Sequence, residues 1–295
     1  MARRPLVLIV GDDAHSRVLA AALDGQGADA RVVDLDTHDA PSLDERGGVA
    51  VSGHDVSGAR AVVLRRLPRA ANPDDQGARE RAALSHATLR VLDDGARLFV
   101  HPVAALELHQ QKPLALARLA RAGVRVPQSL ATSDVRAARD FAARHREIVV
   151  KPIAGGALTR LLEPADLQRL SLAGAPPLFV QRRVHGPEHR VYLLGGRVLL
   201  AFAVPTEGVI DARARVHEAR RVRCPPEVRA AALAAARALR LPFCAVDLRT
   251  DDDGAAVVLD VNATPSLLDY PDEGMLCARL AEWLWERCTW RAARA

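Results

Sequence analysis

Three oxygen-bearing side chains, Asp247, Asp260 and Asn262, fall where the sequence turns back on itself. Asp253-Gly254 is a favoured dipeptide for a two-residue β-hairpin turn, and with that turn Asp247 lies directly opposite Asp260. Side chains two apart share a face, so Asn262 joins them. Opposed Cβ atoms are then roughly 4.5–5.5 Å apart. Two carboxylates that close repel unless a cation lies between them, and hard oxygen donors suit Mg²⁺ completed by a substrate's phosphates. A solvated acidic hairpin, with Asp251 and Asp252 to spare in its turn, is the competing reading. The metal is favoured because Asp260 and Asn262 interrupt an apolar run, residues 255–259, at the strand end where ligands collect in α/β proteins.

The second signal is scarcity. Of 41 basic residues only two are lysines, Lys112 and Lys151. In a chain so rich in Ala, Arg, Gly and Pro, a surviving lysine marks a place that needs a compact ammonium rather than a planar fork, and nucleotide phosphates are the commonest such place. On counts alone, chance survival of two surface lysines is as good a reading. Lys151 ends an apolar strand and leads through Pro-Ile-Ala to the pair Gly155-Gly156. That pair reads as a flap whose N–H groups close over phosphates, although an ordinary hairpin turn uses two glycines equally well. Neither a GxxxxGK[ST] loop nor a GxGxxG after the first strand is present.

The elements that must position these residues follow from periodicity. In the first hundred residues, strands at Leu6–Val10, Ala30–Leu35, Ala61–Leu64 and Leu98–Val100 alternate with helices at Ser16–Leu23 and Arg79–Leu92, which predicts a parallel sheet. A single helix is expected over Val103–Ala122, with Lys112 inside it and Gly123 as its C-cap. Strands follow at Ile148–Pro152, Leu158–Leu162 and Leu178–Val184, then a hairpin over Arg190–Val204 turning at Gly195-Gly196. A helix at Pro225–Leu239, the hairpin of Asp247 and Asp260, and a closing helix at Met275–Trp285 complete the chain. The division expected is an N-terminal α/β domain (1–100), a small central α+β domain (101–183) and a C-terminal α+β domain (184–295).

Composition narrows the partners. The net charge of +5 is scattered, with no basic run interleaved with aromatics, so an anionic ligand is favoured and nucleic acid is not. Four cysteines without CxxC spacing read as reduced core thiols in a cytoplasmic protein. No apolar stretch is long enough for a membrane span.

The series Lys112, Lys151-Pro, Gly155-Gly156, Gln181, Glu188-His-Arg190, Asp211-Ala-Arg213, Asp247 and Asp260-Val-Asn262 resembles the ATP-grasp superfamily. Its order is similar to the ribosomal-protein-S6-modifying (RimK-like) and glutathione-synthetase-like carboxylate–amine ligases, from His101 to the closing helix. The resemblance implies an ATP-grasp fold behind an N-terminal parallel-sheet domain. It implies that Lys112 and Lys151 contact ATP phosphates and that Gly155 and Gly156 form the flap. Gln181, Arg182 and Val184 lie in the hinge that reads adenine, and Glu188 accepts from the ribose. Arg190 and Arg213 stabilise the transferring phosphoryl group, while Asp247, Asp260 and Asn262 hold two Mg²⁺ ions, or Mn²⁺ in their place. The chain departs from the pattern at Arg182-Arg183, where a glutamate often follows the glutamine, at Asp260 in place of glutamate, in a short flap without serine, and at His101-Pro102.

The implied activity is ADP-forming ligation through an acyl-phosphate, joining the carboxylate of an amino acid or peptide to an amine or other nucleophile. Two alternatives stand beside it: a peptide-tailoring ligase that closes amide or ester rings, and a small-molecule kinase. A homo-oligomer, dimer or tetramer, accompanies the family resemblance. Arg65, Arg66 and Arg69 at a strand end, and Ser266, are candidates for the substrate side; a solvated loop explains the three arginines equally well.

Overall fold

The computed structural model describes the chain except residues 1–3, Thr37, Gly95, Ala96, Gly155 and 293–295. It contains two compact units, residues 1–106 with 266–295, and residues 107–265. In the first, β1 (Leu6–Val10) is buried along its length and ends at Gly11, whose φ of +111° and close approach to the Arg65 and Arg66 side chains leave no room for a Cβ. Asp13 then caps α1 (Ala14–Gly25), its carboxylate accepting from the Ser16 N–H at 2.7 Å. After β2 (Asp29–Val33) come three short strands absent from the sequence reading, β3 (Pro41–Leu43), β4 (Val49–Val51) and β5 (His54–Asp55). They pair antiparallel into a separate small sheet. The chain continues through β6 (Ala61–Leu64), α2 (Gln76–Leu92), β7 (Leu98–Phe99) and α3 (Val103–His109). The expected parallel sheet is there, in the order β2-β1-β6-β7.

The single helix expected over Val103–Ala122 is two helices. Pro113 lacks an N–H and restricts the residue before it, so α3 stops and α4 (Lys112–Arg121) starts afresh, with Lys112 at its first turn. The Lys112 N–H is spent instead on the Ile153 carbonyl at 3.3 Å. Gly123, at φ +78°, follows the end of α4 as expected.

Two sheets build the second unit. The smaller takes β8 (Ser129–Thr132), β9 (Ile148–Val150), β10 (Arg160–Leu161) and β11 (Leu178–Arg182) in the order β10-β9-β11-β8. Helices α5 (Val135–Arg144) and α6 (Pro164–Leu170) belong with it, and Phe141, Ile148 and Val180 form its core. The larger sheet is antiparallel, from β12 (Glu188–Leu194), β13 (Arg197–Val204), β14 (Arg220–Arg221), β15 (Phe243–Thr250) and β16 (Ala256–Asn262), in the order β14-β13-β12-β15-β16. Gly195 and Gly196, both at positive φ, make the tight turn between β12 and β13. Between β14 and β15 runs α7 (Pro226–Ala238), which packs on β12, β15 and β16 through Val228, Ala232, Ala235 and Ala236. Strand alternation turns Val191, Val246 and Val261 to one face and Arg190, Asp247 and Asp260 to the other. One face is therefore apolar and the other is lined with charge.

The closing helix α8 (Glu273–Ala292) groups with the first unit rather than with the 184–295 segment. It packs on α1, where Gly27 leaves space for the Trp285 ring at 3.4 Å from a would-be Cβ. All four cysteines are free, three of them buried. Among the described residues no helix is long and apolar enough to cross a membrane.

Gly186, between β11 and β12, has φ +97°, and a Cβ there would sit 2.1 Å from the Thr250 carbonyl oxygen. Gly186→Ala should lower stability by about 2 kcal/mol or more in urea unfolding, from backbone strain plus a clash with main chain that cannot rotate away. An alanine variant as stable as the parent would show that the chain can part at this crossing without cost.

Candidate active site

The register of β15 and β16 decides where the acidic side chains meet. Asp247 pairs with Asp260 and Ala245 with Asn262, as expected, but the route differs. Thr250 pairs with Ala256, and the Asp251 N–H bonds the Ala255 carbonyl at 2.9 Å. The turn therefore holds three residues, Asp252, Asp253 and Gly254, with Gly254 at φ +78°. That turn alone would set Leu259 opposite Asp247. A bulge at Leu259 restores the register, since Leu248 pairs with Val258 while Asp247 pairs with Asp260. The extra residue turns Asp260 onto the charged face and leaves the Leu259 carbonyl 3.4 Å from Lys151 Nζ.

Each carboxylate of the pair has its own cation. Arg190, opposite Asp247 on β12, donates Nη1 to both Asp247 oxygens at 2.9 and 3.0 Å, and its Nε donates to the Tyr192 hydroxyl at 3.2 Å. Lys112, at the start of α4, bonds the Asp260 carboxylate. The titration directions follow from this arrangement. Burial raises the Asp247 carboxyl, with Arg190 opposing and Asp260 adding to the rise. At Asp260 burial acts the same way, but Lys112 and then Lys151 outweigh it and hold the group below its ordinary value. Burial also draws Lys151 downward.

These residues line one pocket of about 270 Å³, contained within residues 107–265. Its walls carry seven Lys and Arg side chains against four carboxylates, a balance that suits a polyanion. Gln181 lies in its wall, 1% exposed, and the Gln181 Nε2 finds no hydrogen-bond acceptor among the described residues. A buried donor left in this way matches a ligand that brings an acceptor. Arg182 reaches Asp251 at 2.7 Å, and the Arg182 and Arg183 N–H groups are spent on Gln128 and Glu147 carbonyls. The Val184 carbonyl accepts from Arg249 at 2.9 Å. Glu188 pairs with Arg249 at 2.9 Å, and burial followed by the Asp247 charge pushes its carboxyl up to about 7 despite that partner.

Arg213 stands at the rim. It chelates Asp211 through Nε and Nη2 at 2.9 and 2.6 Å, and Nη2 also donates to the Ala157 carbonyl at 2.7 Å. Asp211 in turn accepts from the Thr159 N–H at 2.7 Å. Burial opposes ionisation of Asp211, but the Arg213 guanidinium and these N–H donors bring it down to about 2. The segment after the glycine pair is thus clamped to the 211–213 loop. Gly156 sits at φ +92° in the pocket wall, whereas Gly155 lies outside the described residues.

Among the described residues no three His, Cys, Asp or Glu side chains group to hold a metal by themselves. The donor set is two opposed carboxylates plus Asn262, whose Oδ1 already accepts from the Thr264 N–H at 3.0 Å. Such a set fits Mg²⁺ that takes its other ligands from phosphates and water. Two lining residues escape the sequence reading, His109 and Arg249. Arg249 is legible in principle, being two residues from Asp247 on the same face.

The candidates for the substrate side fall elsewhere. Arg66 is engaged by Asp34 at 2.7 Å and Asp36 at 3.1 Å, and Arg65 lies 3.8 Å from Asp13. The Arg69 N–H bonds Asp36 at 3.1 Å. Ser266 Oγ accepts from the Leu268 and Asp269 N–H groups in a local turn.

With Glu188 raised from its ordinary 4.5 to about 7, the folded state binds that proton more tightly than the unfolded chain. Stability should therefore fall as pH rises from about 4.5 to about 7, by on the order of 2–3 kcal/mol from this group. Glu188→Gln should flatten that part of the curve of unfolding free energy against pH. Parallel curves for the variant and the parent would show that Glu188 ionises normally.

Residues 101–282 match a family model described as an ATP-grasp domain, family 3 of its clade. No curated protein matches the chain. Among solved structures, the ATP-grasp ligase PsnB complexed with minimal precursor, Mg and ADP is similar at 27% identity and a TM-score of 0.80, covering 98% of this chain and 99% of that one. The macrocyclase MdnC from Microcystis aeruginosa MRC, bound with precursor peptide MdnA, is similar at 19% identity and a TM-score of 0.77, covering 95% and 99%. A RiPP-associated ATP-grasp ligase from Chryseobacterium gregarium, in complex with ADP and a leader and core peptide, gives 14% identity and a TM-score of 0.75, covering 97% of each chain. The last two likenesses concern the fold.

Proposed function

The chain belongs to the ATP-grasp family, and from that premise we propose that it is a peptide-tailoring ligase, which activates side-chain carboxylates of a peptide with Mg²⁺·ATP and closes amide or ester rings. The observation that carries the peptide reading is the likeness to PsnB, which extends over nearly the whole of both chains and includes a complex with precursor peptide PsnA2 and AMPPNP. It favours a peptide over the free amino acid that the ligase resemblance admits equally.

Lys112 and Lys151 supply the ammonium groups for the nucleotide's phosphates, and the Asp247–Asp260 pair with Asn262 holds Mg²⁺. When bound, Mg²⁺·ATP supplies a phosphoryl group that makes the carboxylate an acyl-phosphate, with ADP leaving. Phosphate then departs when an amine or hydroxyl attacks. The chain's own residues do the rest by placement. Gln181 offers Nε2 to the base, and Glu188, held by Arg249, accepts from the ribose. Lys112 and Arg190 already stand against the two carboxylates, so a metal entering between these carboxylates frees both cations to face the transferring charge. Arg213 fixes the segment after Gly156 at the rim, where water must be shut out while the activated acyl group survives.

The direct assay gives the purified protein Mg²⁺·ATP and an acidic peptide bearing Ser, Thr or Lys, encoded beside its gene. Mass spectrometry should show one water lost per ring, matched by ADP and phosphate. Asp260→Asn and Lys151→Met should each slow this by about 100-fold or more, since each removes charge stabilisation from phosphoryl transfer. A phosphorylated product without water loss would make the protein a kinase. ADP release driven by a free amino acid and not by peptide would return it to small-molecule ligation.

A further inference from the structure

We propose that Arg249 is a positioning residue for the nucleotide's sugar, locking the Glu188 carboxylate and the hinge carbonyl of Val184 into one rigid edge of the pocket. The inference rests on the reading above that this pocket takes ATP. Arg249 lies on β15 directly opposite Glu188 on β12 and is 5% exposed. Its guanidinium spans three separate stretches of chain. Nε donates to Glu188 Oε2 at 2.9 Å, Nη1 to the Val184 carbonyl at 2.9 Å, and Nη2 to the Ile210 carbonyl at 3.4 Å.

Glu188 is held through one oxygen, so Oε1 is left to accept from a 2′- or 3′-hydroxyl, and its aim is fixed by a side chain that cannot swing away. The Val184 carbonyl is already spent, so it is the frame of the hinge rather than a reader of the base. A planar fork is required for this, because an ammonium cannot present donors in those three directions from one plane. Through Ile210 the same guanidinium also ties the edge to the loop that carries Arg213, so the sugar end and the rim share one anchor.

Calorimetry with Mg²⁺·ATP and Mg²⁺·2′,3′-dideoxy-ATP tests the assignment on the parent, Arg249→Lys, Arg249→Met and Glu188→Gln. The parent should bind ATP about tenfold or more tighter than the dideoxy nucleotide, as loss of hydrogen bonds to a charged acceptor implies. In Arg249→Met and Glu188→Gln that ratio should collapse to about twofold or less, while dideoxy-ATP still binds within about threefold of the parent. Arg249→Lys, which keeps the charge and guards against a variant that does not fold, should lose most of the ratio. A parallel weakening of both nucleotides would assign Arg249 to general packing, and a full ratio in Arg249→Lys would show that the fork is not needed; either overturns the proposal. A parent that binds neither nucleotide would instead overturn the ATP reading on which it rests.

Discussion

Two carboxylates facing each other across adjacent strands are the constraint on which this molecule is organised. Asp247 and Asp260 repel, and the fold answers with a cation from a different element for each, Arg190 from β12 and Lys112 from the start of α4. Both side chains of the acidic pair keep some surface open to the pocket, 21% and 32%, so the repulsion is relieved without being sealed away from a ligand. That is the condition a metal site needs before the metal arrives: charge assembled, provisionally neutralised, and still reachable.

The rest of the unit can be read as support for that pair. The five-stranded sheet has one face covered by α7, where small alanines allow close packing, so its polar face is free to carry Glu188, Arg190, Asp247, Arg249 and Asp260 in register. Ion pairs between directly opposed residues, Arg190 with Asp247 and Glu188 with Arg249, hold the rows in place and set the raised and lowered pKa values around them. At the rim, Asp211 and Arg213 clamp the segment that follows the glycine pair. In the proposed ligase the same clamp governs access of water and peptide.

Much of this is legible in the sequence, and the failures are instructive. The buried β1, the alternation before residue 100 and the Gly195-Gly196 hairpin follow from local pattern, and so does the meeting of Asp247 and Asp260. Yet local pattern reaches that meeting through two errors that cancel. Asp253-Gly254 suggests a two-residue turn where three residues turn, and nothing announces the bulge at Leu259; each shifts the register by one residue in opposite senses. Bulges leave little trace in apolar alternation, because Leu-Asp-Val at a strand end satisfies either register. Pro113 breaks a helix whose apolar periodicity runs through it, and the proline is there to be weighed. The strands β3 to β5 are two or three residues long, too short for alternation to register. The pairing of α8 with α1 depends on tertiary packing that no local signal encodes. Arg66 and Arg69 look available only because their partners, Asp34 and Asp36, are thirty-odd residues distant in sequence.

Asp247 and Asp260 are opposed, on this account, in order to share a cation with a bound nucleotide. The most direct measurement is the unfolding free energy of the parent and of Asp260→Asn, each alone, with ATP and EDTA, and with Mg²⁺·ATP. At a hundred times its Kd, Mg²⁺·ATP should stabilise the parent by about 2.7 kcal/mol, with little effect of ATP in EDTA and none of this gain in the variant. Equal stabilisation with and without Mg²⁺, or a full gain in Asp260→Asn, would contradict the account.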